Sequence, residues 1–138
     1  MLVDIHDGGT VPLLRAPQGG HIILLGARVM DASTCMPEAT GLLRDTTTNA
    51  VIGQDRAQLY LQSSGGGWSE PSNSLSSMPN VPVCPSSSAT RAVVGNTYSI
   101  ELTLTDGGST IASLTAVVTP TCPTNDGGDC AIECGPPH

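Results

Sequence analysis

The sequence predicts an all-β domain with the architecture of an antiparallel β-sandwich. Short apolar segments recur along residues 20–118 and are separated by polar turns, a pattern typical of β-sandwiches. The segment most open to a helical interpretation, residues 28–44, contains Pro37 and Gly41. A proline inside a helix removes a hydrogen bond and clashes with the preceding turn. We therefore expect strands rather than helices.

Four segments are predicted as single strands: 21–30, 38–45, 51–62 and 80–84. In the first strand, Ile23 and Leu25 fall on the face expected to meet the core, because successive side chains point to opposite faces. Ile22 and Leu24 fall on the other face, so we expect this strand to be covered on both sides at its start. Pro82 is expected to keep the last of the four strands at a sheet edge, because proline cannot donate a ladder hydrogen bond.

The clearest local signal is a β-hairpin over residues 97–118. Apolar and polar residues alternate through residues 98–104, and the apolar face continues through residues 112–118. Between these runs, Asp-Gly-Gly-Ser at residues 106–109 supplies glycines that adopt the positive φ angles of a tight turn. Both the alternation and the turn therefore favour the same hairpin.

The length of 138 residues favours one domain, because two half-sized domains would each bury too little apolar surface. We place the β-sandwich domain at residues 18–120. Residues 1–17 are rich in glycine, proline and aspartate, and we expect them to form an extended N-terminal arm. Residues 121–138 form a tail that is rich in cysteine, proline and glycine and lacks a periodic apolar pattern.

The composition argues against two classes of partner. The chain has no lysine and a net charge of −7. A nucleic-acid-binding surface needs clustered basic residues and usually aromatic residues for base stacking. No apolar run approaches the roughly 18 residues that predict a transmembrane helix. We therefore expect neither a nucleic-acid partner nor a transmembrane segment.

The five cysteines favour disulfides over a metal site. Their spacing lacks the close C-x2-C pairs of zinc sites. We expect a bridge between Cys35 and Cys84, and a second bridge from Cys122 to either Cys130 or Cys134. One cysteine is then left over, and the sequence does not decide whether it is free, modified or bonded to another chain.

Disulfides form in oxidising compartments, whereas the first residues lack the basic start and long apolar run of a signal peptide. We therefore expect an extracytoplasmic protein, in the periplasm or at the cell surface, whose export signal is absent from this sequence. The competing interpretation is a genuine start at Met1 and an unexported protein.

No catalytic motif is present. The sequence has no G-x-S-x-G nucleophile elbow, and histidine occurs only at positions 6, 21 and 138. A strand-end role suits His21 better than a catalytic role, and cysteines in disulfides are not nucleophiles. We therefore expect that the protein is not an enzyme and has neither catalytic residues nor a cofactor.

Among metals, calcium fits the sequence better than copper. A blue-copper site needs two histidines and a cysteine, and Cys84 is followed by no histidine before His138. Asp126 and Asp129 offer carboxylate oxygens on a glycine-containing loop, which suits calcium. The EF-hand pattern is absent, and a solvated turn before a disulfide explains the same residues. Calcium is therefore kept as an alternative, and no metal site is assigned.

Two features indicate a binding surface. Trp68 lies in a Gly/Ser segment, where it either anchors a partner or folds back over the edge of the core. Ile22 and Leu24, on the second face of the first strand, are expected to be covered by the N-terminal arm or by another chain. An arm from a neighbouring molecule that adds a strand to an open sheet edge is one known mode of assembly.

Residues 95–98, Gly-Asn-Thr-Tyr, open the penultimate strand and resemble the tyrosine corner of immunoglobulin-like and fibronectin-III-like domains. The resemblance implies an immunoglobulin-like antiparallel β-sandwich of about seven strands. The Cys…Trp…Cys spacing of antibody domains is absent, since the only tryptophan is Trp68.

A second set of segments consists of 19–22 (GGHI), 26–29 (GARV), 41–45 (GLLRD), 80–85 (NVPVCP), 102–106 (LTLTD) and 118–122 (VTPTC). Together with Cys35 and the Cys130-Ala-Ile-Glu-Cys134 end, they resemble a group of uncharacterised bacterial secreted or lipoprotein-type domains. This resemblance implies export and a disulfide-bearing β domain, and it carries no catalytic role. The combined expectation is a non-enzymatic exported binding or structural module that interacts with a protein partner or self-assembles. A metal-binding protein is the alternative.

Overall fold

A computed structural model describes residues 4–32, 36–72, 74–124 and 128–136. Within these ranges the chain forms eleven strands and one short helix. In chain order they are β1 (Gly9–Pro12), β2 (Leu14–Arg15), β3 (His21–Leu24), β4 (Val29–Met30), β5 (Glu38–Asp45), β6 (Val51–Gln58), β7 (Leu61–Gly65), β8 (Trp68–Pro71), β9 (Asn80–Cys84), β10 (Tyr98–Asp106), β11 (Ser109–Thr121) and α1 (Asp129–Glu133). No helix in these ranges is long and apolar enough to cross a membrane.

The strands form three sheets. The five-stranded sheet has the order β1-β11-β10-β5-β6, and the smaller sheets have the orders β2-β3-β9 and β4-β8-β7. Neighbouring strands are antiparallel except β1 and β11, which run parallel. The all-β prediction is confirmed, whereas the expected strand number of about seven is too low for the described chain.

The N-terminal segment contributes one strand to the five-stranded sheet and one to the β2-β3-β9 sheet. β1 pairs with the end of β11, where Gly9 lies opposite Val118, and β2 pairs with β3, where Leu14 lies opposite Ile22. Leu13, between β1 and β2, is fully buried. The segment is therefore extended and is also part of the hydrophobic core.

The predicted strands 38–45 and 80–84 match β5 and β9, and β10 and β11 form the predicted hairpin. The prediction of one strand over 21–30 is wrong, because this segment divides into β3 and β4. The division falls around Gly26, where an added Cβ would lie 3.0 Å from a side-chain atom of Pro71. The backbone there packs directly against a neighbouring side chain instead of continuing a strand.

The prediction of one strand over 51–62 is also wrong, because β6 ends at Gln58 and β7 begins at Leu61. The N–H of Leu59 donates to the carbonyl of Pro37 at 2.8 Å, and the N–H of Tyr60 donates to the carbonyl of Ser77 at 3.0 Å. These tertiary hydrogen bonds replace strand pairing. Apolar alternation, which continues through Leu59 and Leu61, does not reveal them.

The Gly/Ser segment before Trp68 is part of the hairpin β7–β8. Gly66 and Gly67 have φ angles of +64° and +83°, and two central residues with positive φ form the turn that matches strand twist. Gly65 pairs with Trp68 across this turn. The glycines therefore permit a tight hairpin.

One hydrophobic core draws residues from the five-stranded sheet and from the β2-β3-β9 sheet. The apolar face of β10 is 4% exposed or less at each of its four positions, which are Tyr98, Ile100, Leu102 and Leu104. Ile23 of β3 and Val81 of β9 are also buried in this cluster. Burial of each large aliphatic side chain contributes about 1.5–3 kcal/mol, so this cluster supplies the main driving force for folding.

The C-terminal tail is fastened to the core by two disulfides. Cys84 is bonded to Cys134, and Cys122 is bonded to Cys130. The expected Cys35–Cys84 bridge is therefore wrong, because α1 and the turn after it place Cys134 beside β9, with its Cα 5.1 Å from that of Cys84. Cys35 itself lies outside the described residues. Of the two partners considered for Cys122, the structure has Cys130.

Tyr98 donates its hydroxyl hydrogen to the part-buried carbonyl of Ala92, at 2.9 Å. Replacing Tyr98 with phenylalanine is expected to lower the free energy of unfolding by about 1 kcal/mol, because that carbonyl loses one of its two hydrogen bonds and keeps the one from the side-chain N–H of Asn96. Tyr60→Phe is the matched control, since Tyr60 is 44% exposed and its hydroxyl contacts Gln58 at the surface. Urea denaturation measures both variants, and equal effects would contradict a special role for the Tyr98 hydroxyl.

Candidate binding site

The outer side of β11 is paired along only part of its length. β1 pairs with residues 118–121 of β11, and β10 pairs with residues 109–118 on the other side of the strand. Within the described chain, residues 109–117 therefore have no strand on their outer side. We call residues 109–117 the open edge.

A turn in the N-terminal segment ends the pairing between β1 and β11. The N–H of Gly9 donates to the carbonyl of His6 at 3.0 Å, which closes a turn just before β1. At the boundary, the N–H of Gly8 donates to the carbonyl of Val117 at 2.8 Å. The N–H of Val117 donates to a side-chain oxygen of Asp7 at 2.8 Å. The last outward-pointing backbone groups next to β1 are therefore satisfied by this turn.

Farther along the open edge, the backbone groups have no such partners in the described structure. Hydrogen-bonding groups of successive strand residues point to alternate sides, so those of Ser113 and Thr115 point outward like those of Val117. No backbone hydrogen bond joins this outward side to another described segment beyond Val117. The open edge therefore presents a row of donors and acceptors that another strand can pair with.

The open edge also exposes large apolar side chains. Ile111 is 49% exposed, Leu114 is 57% exposed and Val117 is 40% exposed. Leu114 lies directly opposite Leu102 in the register of β10 and β11, and the two side chains share a face of the sheet. Because Leu102 is only 4% exposed, the core is covered at β10 but open at β11.

The uncovered face forms one wall of a groove of about 550 Å³. Leu114 and Ala116 lie on this wall, Leu24 and Leu25 on the opposite wall, and Ile5 of the N-terminal segment also lines the groove. The groove is open to solvent beside the open edge. A strand added there would place every second side chain toward the groove, because strand side chains alternate between faces.

Charged residues border the groove. Asp4 and Asp7 line it and are exposed. Arg28 and Glu70 also line it, with Arg28 Nε 3.4 Å from a carboxylate oxygen of Glu70. The groove therefore has an apolar interior, one compensated ion pair and an acidic N-terminal rim.

The three residues expected at a binding surface have different surroundings. Leu24 lines the groove. Ile22 is 2% exposed and lies beside Leu14 of β2 in the same sheet. Trp68 begins β8 and is half-buried, with the guanidinium carbon of Arg28 4.8 Å from its ring centre. Arg28 thus covers the Trp68 ring, and only Leu24 faces the groove.

Among the described residues, one group of three metal-ligating side chains comes together, and a disulfide already uses two of its members. His21, Cys84 and Cys134 place their ligand atoms within 4.8 Å of one another, but the two sulfurs are bonded to each other. Nδ1 of His21 lies 3.0 Å from a carboxylate oxygen of Glu133. With the disulfide formed, this arrangement supports the packing of α1 against β3 rather than a thiolate metal site.

The calcium alternative gains no support from Asp129, which forms an ion pair with Arg15. An arginine that already neutralises the carboxylate competes with a cation for the same oxygens. Asp126, the other candidate ligand, lies outside the described residues. The calcium site stays a prediction.

The structure also contains a buried charge cluster that we did not predict from the sequence. Asp45, at the end of β5, is fully buried and accepts hydrogen bonds from the N–H and hydroxyl of Thr47, at 2.8 and 2.7 Å. A guanidinium nitrogen of Arg91 lies 3.2 Å from the same carboxylate oxygen. The signal in the sequence is Asp45-Thr-Thr, since aspartate commonly bonds the backbone two residues on. This cluster fixes a turn and does not line the apolar groove beside the open edge.

The hydrogen bonds from Thr47, together with the charge of Arg91, lower the pKa of Asp45 below its ordinary value despite burial. A lowered folded-state pKa gives stability that is present above the unfolded pKa and is lost as the pH falls through the folded pKa. We expect Asp45→Asn to reduce the loss of unfolding free energy between about pH 5 and pH 2. Asp106→Asn, at the exposed hairpin turn, is the control. Urea denaturation across this pH range measures both variants, and an unchanged pH slope in Asp45→Asn would contradict the expectation.

Comparison with known proteins provides no relative for this chain. No family model matches it, and neither a curated protein nor a solved structure matches it. The open edge and its groove are therefore the features from which a function can be inferred.

Proposed function

We propose that this protein is an exported, non-enzymatic interaction module that binds an extended polypeptide strand along the open edge. The observation that carries this proposal is the position of an unpaired strand edge beside an apolar groove. Strand addition uses both features, since main-chain hydrogen bonds give affinity and pockets for alternate side chains give specificity.

Ser113 and Thr115 supply the main-chain contacts in this proposal, because their outward N–H and C=O groups have no partner strand among the described residues. A bound strand that places an apolar side chain in the groove would cover Leu114. Burial of that side chain removes apolar surface from water at a gain of about 25 cal/mol per Å². Both contributions favour an extended segment over a compact ligand.

We propose further that the five-stranded sheet and the β2-β3-β9 sheet form an immunoglobulin-like sandwich, to which the β4-β8-β7 sheet is an addition. Three observations support this. β1 and β2 come from one continuous segment and join different sheets, and both sheets contribute to one core. The hydroxyl of Tyr98 donates to a carbonyl six residues upstream, as in the tyrosine corner of such domains.

Export is supported by the two disulfides, Cys84–Cys134 and Cys122–Cys130. Such bonds persist in oxidising compartments and are rare in the cytosol. The resemblance to secreted or lipoprotein-type domains also supports this location. Intact mass under non-reducing conditions tests this part of the proposal in protein isolated from its natural source, and five free thiols there would overturn it.

Selection from a library of displayed random peptides tests the binding proposal. We expect enriched peptides to alternate apolar and polar residues and to lose binding to Thr115→Pro, which removes one outward N–H from the open edge. Thr115→Val is the matched control, because it changes the side chain and keeps the N–H. No enrichment, or enriched peptides that bind both variants equally, would overturn the proposal.

A further inference from the structure

We infer that His21, Cys84 and Cys134 form a zinc site when the bond between the two cysteines is reduced. Their ligand atoms, a ring nitrogen and two sulfurs, lie within 4.8 Å of one another. In the structure the two sulfurs form a disulfide, which does not bind zinc because the metal ligand is the thiolate. The inference therefore concerns the reduced chain, and it goes beyond the proposed binding of a strand.

Two thiolates and one imidazole are ligands that zinc commonly uses in proteins. Zinc lies about 2.3 Å from thiolate sulfur and about 2.0–2.1 Å from imidazole nitrogen, in tetrahedral geometry. These lengths place the ligand atoms of one zinc ion about 3.5–3.8 Å from one another. The Cα atoms of Cys84 and Cys134 are 5.1 Å apart, so side-chain rotation is sufficient to separate the sulfurs to this distance once their bond is broken.

Strand pairing keeps two of the three ligands together without the disulfide. His21 begins β3 and lies opposite Cys84, the last residue of β9, in the register of the two strands. Side chains of directly opposite residues in a sheet are neighbours. Reduction of the disulfide leaves this pairing intact, so the imidazole and one sulfur stay adjacent.

The third ligand is also held by contacts that contain no sulfur. The carbonyl of Cys134 accepts hydrogen bonds from the N–H groups of Val93 and Val94, at 2.8 and 3.1 Å. At the other end of α1, Asp129 forms an ion pair with Arg15. α1 is therefore attached to the rest of the fold at both ends, and the backbone of Cys134 stays beside β9 in the reduced chain.

Glu133 acts as a positioning residue for the imidazole. One of its carboxylate oxygens lies 3.0 Å from Nδ1 of His21. Histidine ligands of metals commonly donate one ring N–H to a carboxylate, which fixes the tautomer and the orientation of the ring. With the hydrogen on Nδ1, Nε2 carries the lone pair that a metal ion needs.

The burial of the three ligands is compatible with a bound zinc ion. His21 is 1% exposed, Cys84 is 3% exposed and Cys134 is fully buried. An isolated charge is costly at such a position. The two positive charges of zinc and the two negative charges of the thiolates cancel, so the ion adds no net charge to the core.

The disulfide and the zinc site exclude each other because they use the same two sulfurs. A dithiol reductant gives two electrons and two protons to the Cys84–Cys134 bond and becomes a disulfide itself, leaving two thiols on the chain. Zinc then displaces the two thiol protons. A disulfide oxidant takes the electron pair back, reforms the bond between the cysteines and releases the ion.

Zinc titration of the Cys35→Ser chain against a chromophoric chelator tests the inference. In the presence of a phosphine reductant we expect one zinc ion per chain and a higher Tm with zinc, because the ion binds the folded state. The oxidised chain is expected to show neither effect. His21→Gln should weaken zinc binding by about tenfold or more, because it removes one of three protein ligands. His6→Gln is the matched control, since His6 is exposed.

A reduced chain that binds no zinc would overturn the inference, and so would equal zinc affinities of His21→Gln and His6→Gln. Cobalt(II) in place of zinc identifies the cysteines, since a thiolate-bound cobalt ion absorbs through charge transfer from sulfur. We expect this absorption to be lost when Cys84 and Cys134 are both replaced with serine. It should be kept when Cys122 and Cys130 are both replaced with serine. The reverse pattern, or the same result in both double variants, would overturn the assignment of the ligands.

Discussion

Replacing Gly53 with alanine is expected to lower the free energy of unfolding by more than about 3 kcal/mol, at the upper end of overpacking effects. Gly53 lies in β6, and a Cβ added there would be 1.6 Å from the carbonyl oxygen of Pro82 in β9. Real Cβ atoms do not approach backbone this closely, and the obstacle is main chain rather than a flexible side chain. Relief of the overlap requires β6 and β9 to separate.

Gly107→Ala is the control, because Gly107 has open space around its Cα and a φ of +58°. The expected loss of unfolding free energy in Gly107→Ala is limited to the strain of a left-handed conformation, about 1 kcal/mol. Thermal and urea unfolding of both variants measure the difference. A Gly53→Ala protein that is as stable as Gly107→Ala would contradict the close contact between the two strands.

This contact explains why the opposite side of the fold is open. On the β6 side, the N–H of Asn80 donates to the Asp55 carboxylate at 2.8 Å, and the hydroxyl of Ser86 donates to the carbonyl of Ile52 at 2.8 Å. These bonds hold β6 against β9 and close that side of the core. Among the described residues, the five-stranded sheet and the β2-β3-β9 sheet have no equivalent backbone contact at the open edge, where the groove lies between them.

Local pattern was sufficient to locate several strands but not to identify the strands with which they pair. The hairpin β10–β11 was predicted from alternation and a Gly-Gly turn, and β5 and β9 were predicted with their bounds. The parallel pairing of β1 with β11 joins residues more than a hundred positions apart. Residues 9–12, Gly-Thr-Val-Pro, carry no pattern that specifies such a partner. Long-range pairing depends on the assembled core, so the sequence alone did not predict it.

The candidate site, like the fold, could be predicted from the sequence only in part. Alternation correctly placed Leu114 on the apolar face of β11, since it lies opposite buried Leu102. The sequence of residues 112–118 does not show that the β2-β3-β9 sheet ends before it covers Leu114. The site therefore exists because the apolar face of β11, which the sequence predicted correctly, is only partly covered by the rest of the fold. An apolar strand face predicted from sequence is a potential binding surface until its covering layer is known.

The disulfide partners could also not be predicted from the local sequence pattern, because several pairings of five cysteines fit the same spacing. α1 resolves the choice, since its packing brings Glu133 to His21 and Cys134 to Cys84. The Cys84–Cys134 bond closes a separation of 50 residues, whereas the Cys122–Cys130 bond closes one of 8. Loop-closure entropy makes the longer cross-link the more stabilising of the two.

Replacing both Cys84 and Cys134 with serine is therefore expected to lower the free energy of unfolding by about 4 kcal/mol in the chain-entropy model. The matched control replaces Cys122 and Cys130 with serine, for which the shorter loop predicts about 2.5 kcal/mol. Urea denaturation of both double variants without reductant compares them directly. Because Cys84 and Cys134 are each 3% exposed or less and Cys130 of the control is 1% exposed, buried serine hydroxyls add to the loss of unfolding free energy in both variants. A larger loss in the control would show that the tail near Cys122, and not α1, holds the C-terminus to the core.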